Sequence, residues 1–210
     1  MADSKICGIT DAAAMDAALT GGARFVGLVF FPKSPRHLSF EAASALAQRA
    51  RGRAEIVAVT IDADDALLEQ IVQAVRPDWI QAHGSESPTR VGVLRRFAGK
   101  GVIKALGVAR SEDLAQLAAF EAAADMFLFD AKPPPGSLPG GNAVAFDWKI
   151  LAGQRFRRPW LLSGGLTPEN VSGAIGASGA ALVDVSSGVE AAPGLKDAGR
   201  IAEFLAAARS

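Results

Sequence analysis

The chain has 210 residues, half of them apolar, and its 22 basic and 22 acidic side chains cancel in formal charge. This length predicts one large domain or two small ones with a substantial core, and the apolar content excludes intrinsic disorder. Without an excess of Lys and Arg, the sequence offers no electrostatic footprint for nucleic acid or for an anionic membrane.

The sequence predicts a cytoplasmic location. A single cysteine, Cys7, cannot form an internal disulfide or a zinc cage, which favours a reducing compartment. The longest apolar runs, such as residues 25–31, are well short of the roughly 18 residues that span a bilayer. The first residues carry no positive segment followed by a long apolar one, so no secretory signal is predicted.

A short β-rich run followed by an Ala/Leu-rich stretch of helical period recurs eight times. The runs begin near Lys5, Arg24, Glu55, Asp78, Val102, Asp125, Pro159 and Ala181. Their starts are 19 to 34 residues apart, close to what one strand, one helix and two loops require. Eight such units predict an α/β fold, a short single-domain (β/α)8 TIM barrel over residues 1–210. A doubly wound sheet is the rival, but it would show five or six units, and the GxGxxG fingerprint is absent.

Local signals mark the connections. Candidate N-cap residues precede several helices, at Thr10-Asp11, Ser39, Ser87-Pro88, Ser111 and Thr167-Pro168. The Pro/Gly-dense segment from Lys132 to Gly141 directly follows strand six, which predicts a loop over the barrel mouth. A rigid connector without function is the alternative interpretation.

Polar side chains fall where the predicted strands end. In a TIM barrel the chemistry lies at these carboxyl ends, because the βα loops converge there. The positions are Cys7, Arg36, Asp62, His83, Asp130, Ser163 and Asp184. A ring of polar groups above apolar strands predicts a site for a small molecule at the mouth.

Cys7 and Asp130 form the sharpest pair. A thiol facing a polar cleft can ionise and accept a proton, and a carboxyl that ends an apolar run can be kept protonated. Together they would provide a general base and a general acid on two sides of one substrate. The alternatives are an inert buried thiol for Cys7, and a helix cap or an ion-pair partner of Lys132 for Asp130.

The loops after strands seven and eight fit a phosphate site. Gly164 and Gly165 allow close backbone approach, and Ser186 and Ser187 add hydroxyls and N–H groups at a short helix start. Neither loop contains Lys or Arg, so backbone dipoles and hydroxyls would hold the charge. Ordinary turn chemistry is the alternative for each glycine pair.

Three further residues are candidates for substrate contacts. Arg36 follows two prolines that stiffen its loop, and its guanidinium could bind a carboxylate, although it could equally be a solvated surface residue. His83 could shuttle a proton or hydrogen-bond to a residue that does. Asp184 could orient a ligand hydroxyl or amine, or cap the short helix that follows it. No metal-binding, Walker or GxSxG motif is present, so the sequence gives no support for a metal site, nucleotide chemistry or serine hydrolysis.

Six segments resemble the signature blocks of the phosphoribosylanthranilate isomerase family, in family order across nearly the whole chain. They are KICGIT, GLVFFPKSPRHL, IQAHG, GGNAVAFDW, LSGGLTPENV and DVSSGVE. The loop after strand six has Gly140-Gly141-Asn142-Ala143 where the family usually has Gly-Gly-Thr-Gly.

The resemblance implies a cofactor-free Amadori rearrangement of a small phosphosugar, N-(5-phosphoribosyl)anthranilate, in tryptophan biosynthesis. By matching positions, Cys7 would be the general base, Asp130 the general acid and Arg36 the ligand of the anthranilate carboxylate. Gly165, Ser186 and Ser187 would hold the phosphate, with Gly141 nearby, and Asp184 would face the amine or ribose. The oligomeric state is left open between monomer and homodimer.

Two rival functions remain at this point. The first is another phosphosugar barrel enzyme, such as a related isomerase or a lyase. A lyase that forms a Schiff base would need a lysine buried at the mouth, and Lys5 and Lys104 are the strand candidates. A barrel that binds a phospholigand without catalysis would use the glycines and serines, but it would have no use for a thiol and a carboxyl at opposite edges.

Overall fold

The structure, a computed structural model, describes residues 1–132 and 145–210. Eight parallel strands follow one another in chain order around a closed barrel, and the eighth pairs with the first. They are β1 (Asp3–Cys7), β2 (Phe25–Phe30), β3 (Glu55–Thr60), β4 (Trp79–Ala82), β5 (Gly101–Val108), β6 (Met126–Ala131), β7 (Trp160–Leu162) and β8 (Leu182–Val185). The predicted TIM barrel is therefore confirmed, and every strand begins within two residues of its predicted start.

A layer of helices surrounds the barrel. In the described ranges the α-helices are α1 (Ala12–Thr20), α2 (Phe40–Ala50), α3 (Asp65–Val75), α4 (Pro88–Leu94), α5 (Leu117–Phe120), α6 (Val171–Ser178) and α7 (Ala198–Arg209). A small antiparallel hairpin of β9 (Glu190–Ala192) and β10 (Leu195–Lys196) lies between β8 and α7.

Most helix starts agree with the predicted caps. Asp11, Ser39 and Ser87 each accept a hydrogen bond from a backbone N–H three residues on. The prediction at Thr167-Pro168 was wrong by one turn. The Asn170 side chain accepts from the Thr167 N–H at 2.8 Å and closes a turn there, so α6 begins only at Val171.

The predicted helix start at Ser111 leads into a 3-10 helix, Ser111–Gln116, before the single turn of α5. Asp113 accounts for the tight winding, because its carboxylate accepts from the backbone N–H groups of Ala109 and Arg110 at 2.9 and 3.2 Å. These bonds tie the 3-10 helix to the end of β5 rather than to a longer α-helix.

The pleat of the strands decides which side chains reach the barrel mouth. Alternate residues point inward, and the interior is filled by apolar side chains such as Phe25, Val57 and Leu128. The other face of each strand packs against the helices in a separate, larger core. Continued to the carboxyl ends, the inward series arrives at polar residues: Cys7 on β1, His83 after β4, Asp130 on β6, Ser163 after β7 and Ser186 after β8.

Two sequence predictions fall largely or wholly on residues that the structure does not describe. Gly141 and the Gly140-Gly141-Asn142-Ala143 segment lie outside the described residues, as does nearly all of the predicted mouth loop after Lys132. Within the two described ranges, no helix is long and apolar enough to cross a bilayer.

Candidate active site

The end of β1 carries the predicted base in a buried, charged setting. Cys7 is the last residue of β1 and is 8 % exposed. Two residues earlier on the same face, Lys5 donates from Nζ to Asp184 Oδ1 at 2.8 Å, because the β1–β8 register sets these residues side by side. The lysine and the carboxylate thus form a buried ion pair inside the barrel, directly below the thiol.

Burial and charge act in opposite directions on these groups. Burial raises the pKa of the Cys7 thiol above its usual value, and the Lys5 ammonium opposes that rise. Burial would lower the pKa of Lys5, but attraction to Asp184 and to Cys7 outweighs it and raises the value to about 12. Lys5 is therefore a cation below the thiol, where it opposes the effect of burial on Cys7.

The predicted acid lies at the end of β6. Asp130 is 9 % exposed, and its Oδ1 accepts from the Ala131 N–H at 2.9 Å. Its Oδ2 is 3.4 Å from His83 Nε2. The alternative role of Asp130 as an ion-pair partner of Lys132 is wrong, because Lys132 Nζ instead donates to Asp113 at 2.7 Å. The carboxyl is thus available to a ligand and to His83.

His83 is held from its other side by a buried amide. The Gln81 Nε2 amide donates to His83 Nδ1 at 2.7 Å, which leaves the imidazole proton on Nε2, facing Asp130. Gln81 is fully buried, on the inward face of β4. His83 Nε2 therefore lies 3.4 Å from Oδ2 of the candidate acid, and its role as a proton shuttle or as a partner of that acid stays a prediction.

A cavity of about 380 Å³ opens beside the acid. Its walls include Asp62, His83, Gly107 and Asp130, at the carboxyl ends of β3 to β6. Cys7 does not line this cavity. It lies at the same end of the barrel, on a strand that is separated from β6 by β7 and β8.

The ends of β7 and β8 present backbone donors. Gly164 and Gly165 both have a left-handed backbone, with φ of +86° and +66°. A Cβ on Gly165 would stand 2.8 Å from the Ala145 nitrogen, so the close approach also requires glycine. We find no hydrogen bond from the N–H groups of Gly164, Gly165 or Ser186 to any described acceptor. These donors fit an anion at the predicted phosphate position.

The Arg36 guanidinium forms a bidentate ion pair with Glu190, a residue that the sequence reasoning missed. Its Nε and Nη2 donate to the two oxygens of Glu190 at 2.7 and 2.8 Å, and Arg36 is 9 % exposed. The alternative of a solvated surface Arg is therefore wrong. Its Nη1 has no hydrogen-bond partner among the described residues, and this edge remains available to a ligand.

Lys196 is a second residue that the sequence reasoning missed. The two phosphate loops contain no Lys or Arg, yet Lys196 Nζ donates to the Ser186 carbonyl at 2.9 Å and to Ser186 Oγ at 3.3 Å. It also donates to Glu190 Oε1 at 2.7 Å. The β9–β10 hairpin returns the chain to the mouth, and no local pattern in the sequence marks this return.

Asp184 and Ser187 differ in how they meet the site. Asp184 lies inside β8 rather than at its end and is 4 % exposed, with Lys5 on one oxygen and the Ser163 hydroxyl on the other at 3.2 Å. It therefore does not cap the helix after β8. Ser187 begins that 3-10 helix, Ser187–Val189, and is half-buried.

Neither lysine of the rival lyase is placed as a nucleophile. Lys5 is committed to Asp184 and remains protonated. Lys104 is on the outward face of β5 and donates to Glu86 and to the Gly84 carbonyl, both at 2.7 Å. Within the described residues, no group of three or more His, Cys, Asp or Glu side chains could hold a metal ion.

Comparison with known proteins identifies relatives over the whole chain. Residues 4–207 match the family model described as N-(5'phosphoribosyl)anthranilate (PRA) isomerase. An N-(5'-phosphoribosyl)anthranilate isomerase of Cereibacter sphaeroides is 53% identical over 206 residues, covering 98% of this chain and 97% of the relative.

Two solved structures share the fold and its chain order. The phosphoribosyl anthranilate isomerase of Thermotoga maritima superimposes with a TM-score of 0.89 at 34% identity, covering 100% of this chain and 99% of that one. A phosphoribosyl anthranilate isomerase in complex with reduced 1-(o-carboxyphenylamino)-1-deoxyribulose 5-phosphate gives a TM-score of 0.86 at 33% identity, with the same coverage.

Proposed function

The chain belongs to the N-(5'-phosphoribosyl)anthranilate isomerase family and catalyses this Amadori isomerisation in tryptophan biosynthesis, and we propose that Cys7 is its general base and Asp130 its general acid. The observation that carries the assignment is that both side chains continue the inward series of their strands to the same end of one closed barrel.

The rearrangement needs two proton transfers at different sugar atoms. Asp130 donates a proton to the furanose ring oxygen, the C1′–O bond breaks, and the nitrogen lone pair forms a protonated imine at C1′. The Cys7 thiolate then takes the proton from C2′, and the electron pair of that C–H bond yields the enolamine. Tautomerisation of the enolamine gives the aminoketose, so the sugar itself is both oxidised and reduced. Each transfer contributes roughly 10²–10⁴-fold to the rate.

We propose that the two anionic ends of the substrate bind on opposite sides of Cys7. The N–H groups of Gly164, Gly165 and Ser186 fit the phosphate, together with the start of the helix at Ser187. The Nη1 edge of Arg36 fits the anthranilate carboxylate. A solved relative binds a reduced product analogue that carries both groups, which supports this arrangement.

Two further parts of the proposal concern the chain as a whole. The barrel works as one catalytic domain over residues 1–210, its partner being the phosphosugar substrate, and the protein is a monomer or a homodimer. Sedimentation at several protein concentrations distinguishes the two states.

Turnover of freshly made phosphoribosylanthranilate, followed as loss of its fluorescence, tests the proposed acid and base. Cys7→Ala and Asp130→Asn should fold, bind the reduced product analogue and lose about 10²–10⁴-fold in kcat. Asp62→Asn is the matched control, because Asp62 lines the same cavity as Asp130 but has no proposed role. Near wild-type turnover by either variant removes that residue from the chemistry.

A further inference from the structure

Lys196 is a buried cation that no step of the proposed reaction uses. Its side chain is 0 % exposed. Its ammonium meets three acceptors within 3.3 Å, namely Glu190 Oε1, the Ser186 carbonyl and Ser186 Oγ. A lysine in this setting is retained at a desolvation cost, which its partners must offset. A purely apolar side chain could fill the same space, so the charge calls for an explanation of its own.

The ammonium lies beside the proposed base. The β1–β8 pairing ends with Ile6 opposite Val185, and Cys7 and Ser186 are the residues that follow these two. Gly8 confirms how close these segments are, since a Cβ on Gly8 would stand 3.2 Å from Ser186 Oγ. Lys196 thus reaches the end of β1 through the serine to which it donates twice.

The charges around the thiol do not cancel. Lys5, Asp184 and Lys196 lie near enough to Cys7 to act on its charge, and Glu190 joins Lys196 to Arg36 in the same buried cluster. Three cations and two carboxylates give 3 − 2 = +1 with the thiol neutral. A thiolate would bring this buried cluster to zero. Lys5 and Asp184 balance each other, whereas Arg36 and Lys196 share the single carboxylate of Glu190, so the surplus positive charge lies on this group of three.

We propose that Lys196 is a positioning residue that supplies the balancing charge for the Cys7 thiolate and fixes Ser186 beside it. The inference rests on the proposed role of Cys7 as the base. A neighbouring ammonium favours a thiolate, and here it acts against the burial that raises the pKa of Cys7. The positive cluster therefore prepares the mouth of the barrel for an anion on sulfur.

The composition of the chain makes this ionisation measurable. Cys7 is the only cysteine and the chain has no tyrosine, so the ultraviolet absorbance that appears with rising pH, corrected with Cys7→Ser, reports the Cys7 thiolate alone. Lys196→Met should move this titration to higher pH by about one unit or more, the shift expected from losing a charge at close range. Glu190→Gln, which raises the cluster charge, should move it to lower pH.

The double variant Lys196→Met/Glu190→Gln separates charge from structure. The double variant restores the net charge of +1 to the cluster, so the midpoint of its Cys7 titration should return toward that of the wild type. Damage to packing would instead move the midpoint further from the wild type than either single variant does. If Lys196→Met does not fold, the comparison of the double variant with Glu190→Gln gives the same test, because neither of these proteins keeps the Glu190 carboxylate. Lys104→Met removes a buried lysine on another side of the barrel and should leave the titration unmoved.

An unchanged or lower titration midpoint on loss of Lys196, in either background, overturns the proposal. These titrations need no substrate, so they stand apart from the assignment of Cys7 as base. If the titrations shift as expected while Cys7→Ser keeps full turnover, the charge balance holds and the assignment of the base fails. If the pH dependence of kcat/KM shifts together with the thiolate titration in all three variants, both hold.

Discussion

His83 Nε2 lies 3.4 Å from Asp130 Oδ2, on the side of the imidazole away from Gln81. The two side chains reach this position from different strands, and each continues the inward series of its strand. Because the Gln81 amide donates to Nδ1, the imidazole directs a proton toward the carboxyl that is proposed to protonate the sugar. His83 is therefore placed to orient the Asp130 carboxyl, and the effects of the two residues on the rate should be coupled.

The first prediction concerns this coupling. His83→Asn should lower kcat roughly 10- to 100-fold, less than Asp130→Asn, because the carboxyl remains but loses the group that orients it. The double variant should be no slower than Asp130→Asn alone, since His83 acts only through Asp130. Single-turnover kinetics measure this, and a double variant with fully multiplied losses would show that His83 acts on the substrate independently.

A second prediction separates the two edges of Arg36. Glu190 occupies Nε and Nη2, so the ligand carboxylate would meet Nη1. Arg36→Ala should raise KM about 10- to 100-fold, with a smaller change in kcat, because a charge-assisted hydrogen bond is worth about 1.5–3 kcal/mol. An analogue that lacks the anthranilate carboxylate should bind equally weakly to both proteins. If the analogue still distinguishes the two proteins, Arg36 binds another part of the substrate.

The fold could be predicted from the sequence because the barrel repeats one physical pattern. Each β-rich run had to be a strand buried on both faces, and the helical period after it fixed the crossover. The predicted ends of β1, β4 and β6 placed Cys7, His83 and Asp130 at the mouth within a residue or two. A period of two along parallel strands is a strong constraint on side-chain direction.

The partners of these residues could not be predicted in the same way. Glu190 and Lys196 reach the site through the β9–β10 hairpin, and their contacts with Arg36 and Ser186 depend on how that hairpin folds back. The sequence suggested that Asp184 ends its strand, but β8 runs one residue further. The register between β1 and β8 places Asp184 beside Lys5. The pairs Arg36–Glu190 and Lys5–Asp184 join positions more than 150 residues apart, so no local pattern encodes them.

A third prediction tests the phosphate site through its backbone. Gly165→Ala places a methyl group 2.8 Å from the Ala145 nitrogen in a left-handed conformation, which should cost about 1–3 kcal/mol of unfolding free energy. The shifted N–H should also weaken competitive inhibition by inorganic phosphate. Gly173→Ala in α6 is the control, because a Cβ there meets nothing within 4 Å and should stabilise the helix by about 0.5–1 kcal/mol. Unchanged inhibition by phosphate in Gly165→Ala would place the phosphate elsewhere.

A fourth prediction concerns how the free energy of unfolding depends on pH through Asp113. This residue binds Lys132 after β6 and the backbone after β5. The hydrogen bond from Lys132 and those from the Ala109 and Arg110 N–H groups lower the pKa of Asp113 from 3.8 to about 2. A carboxyl with a depressed folded-state pKa stabilises the fold above its ordinary pKa, and this contribution is lost as the pH falls through the folded value. Asp113→Asn should therefore be less stable than the wild type at neutral pH.

The difference between the two proteins should shrink between pH 3.8 and about 2 and vanish below that range. Urea unfolding at a series of pH values measures it. In a Lys132→Arg background the cation remains, so Asp113→Asn should still lower the stability by most of the same amount. In a Lys132→Met background Asp113→Asn should lower it less, because the part that depends on the ion pair is already lost. A gap between wild type and Asp113→Asn that stays constant down to pH 2 would mean that the carboxylate charge contributes nothing, and that the variant loses only the shape of the turn after β5.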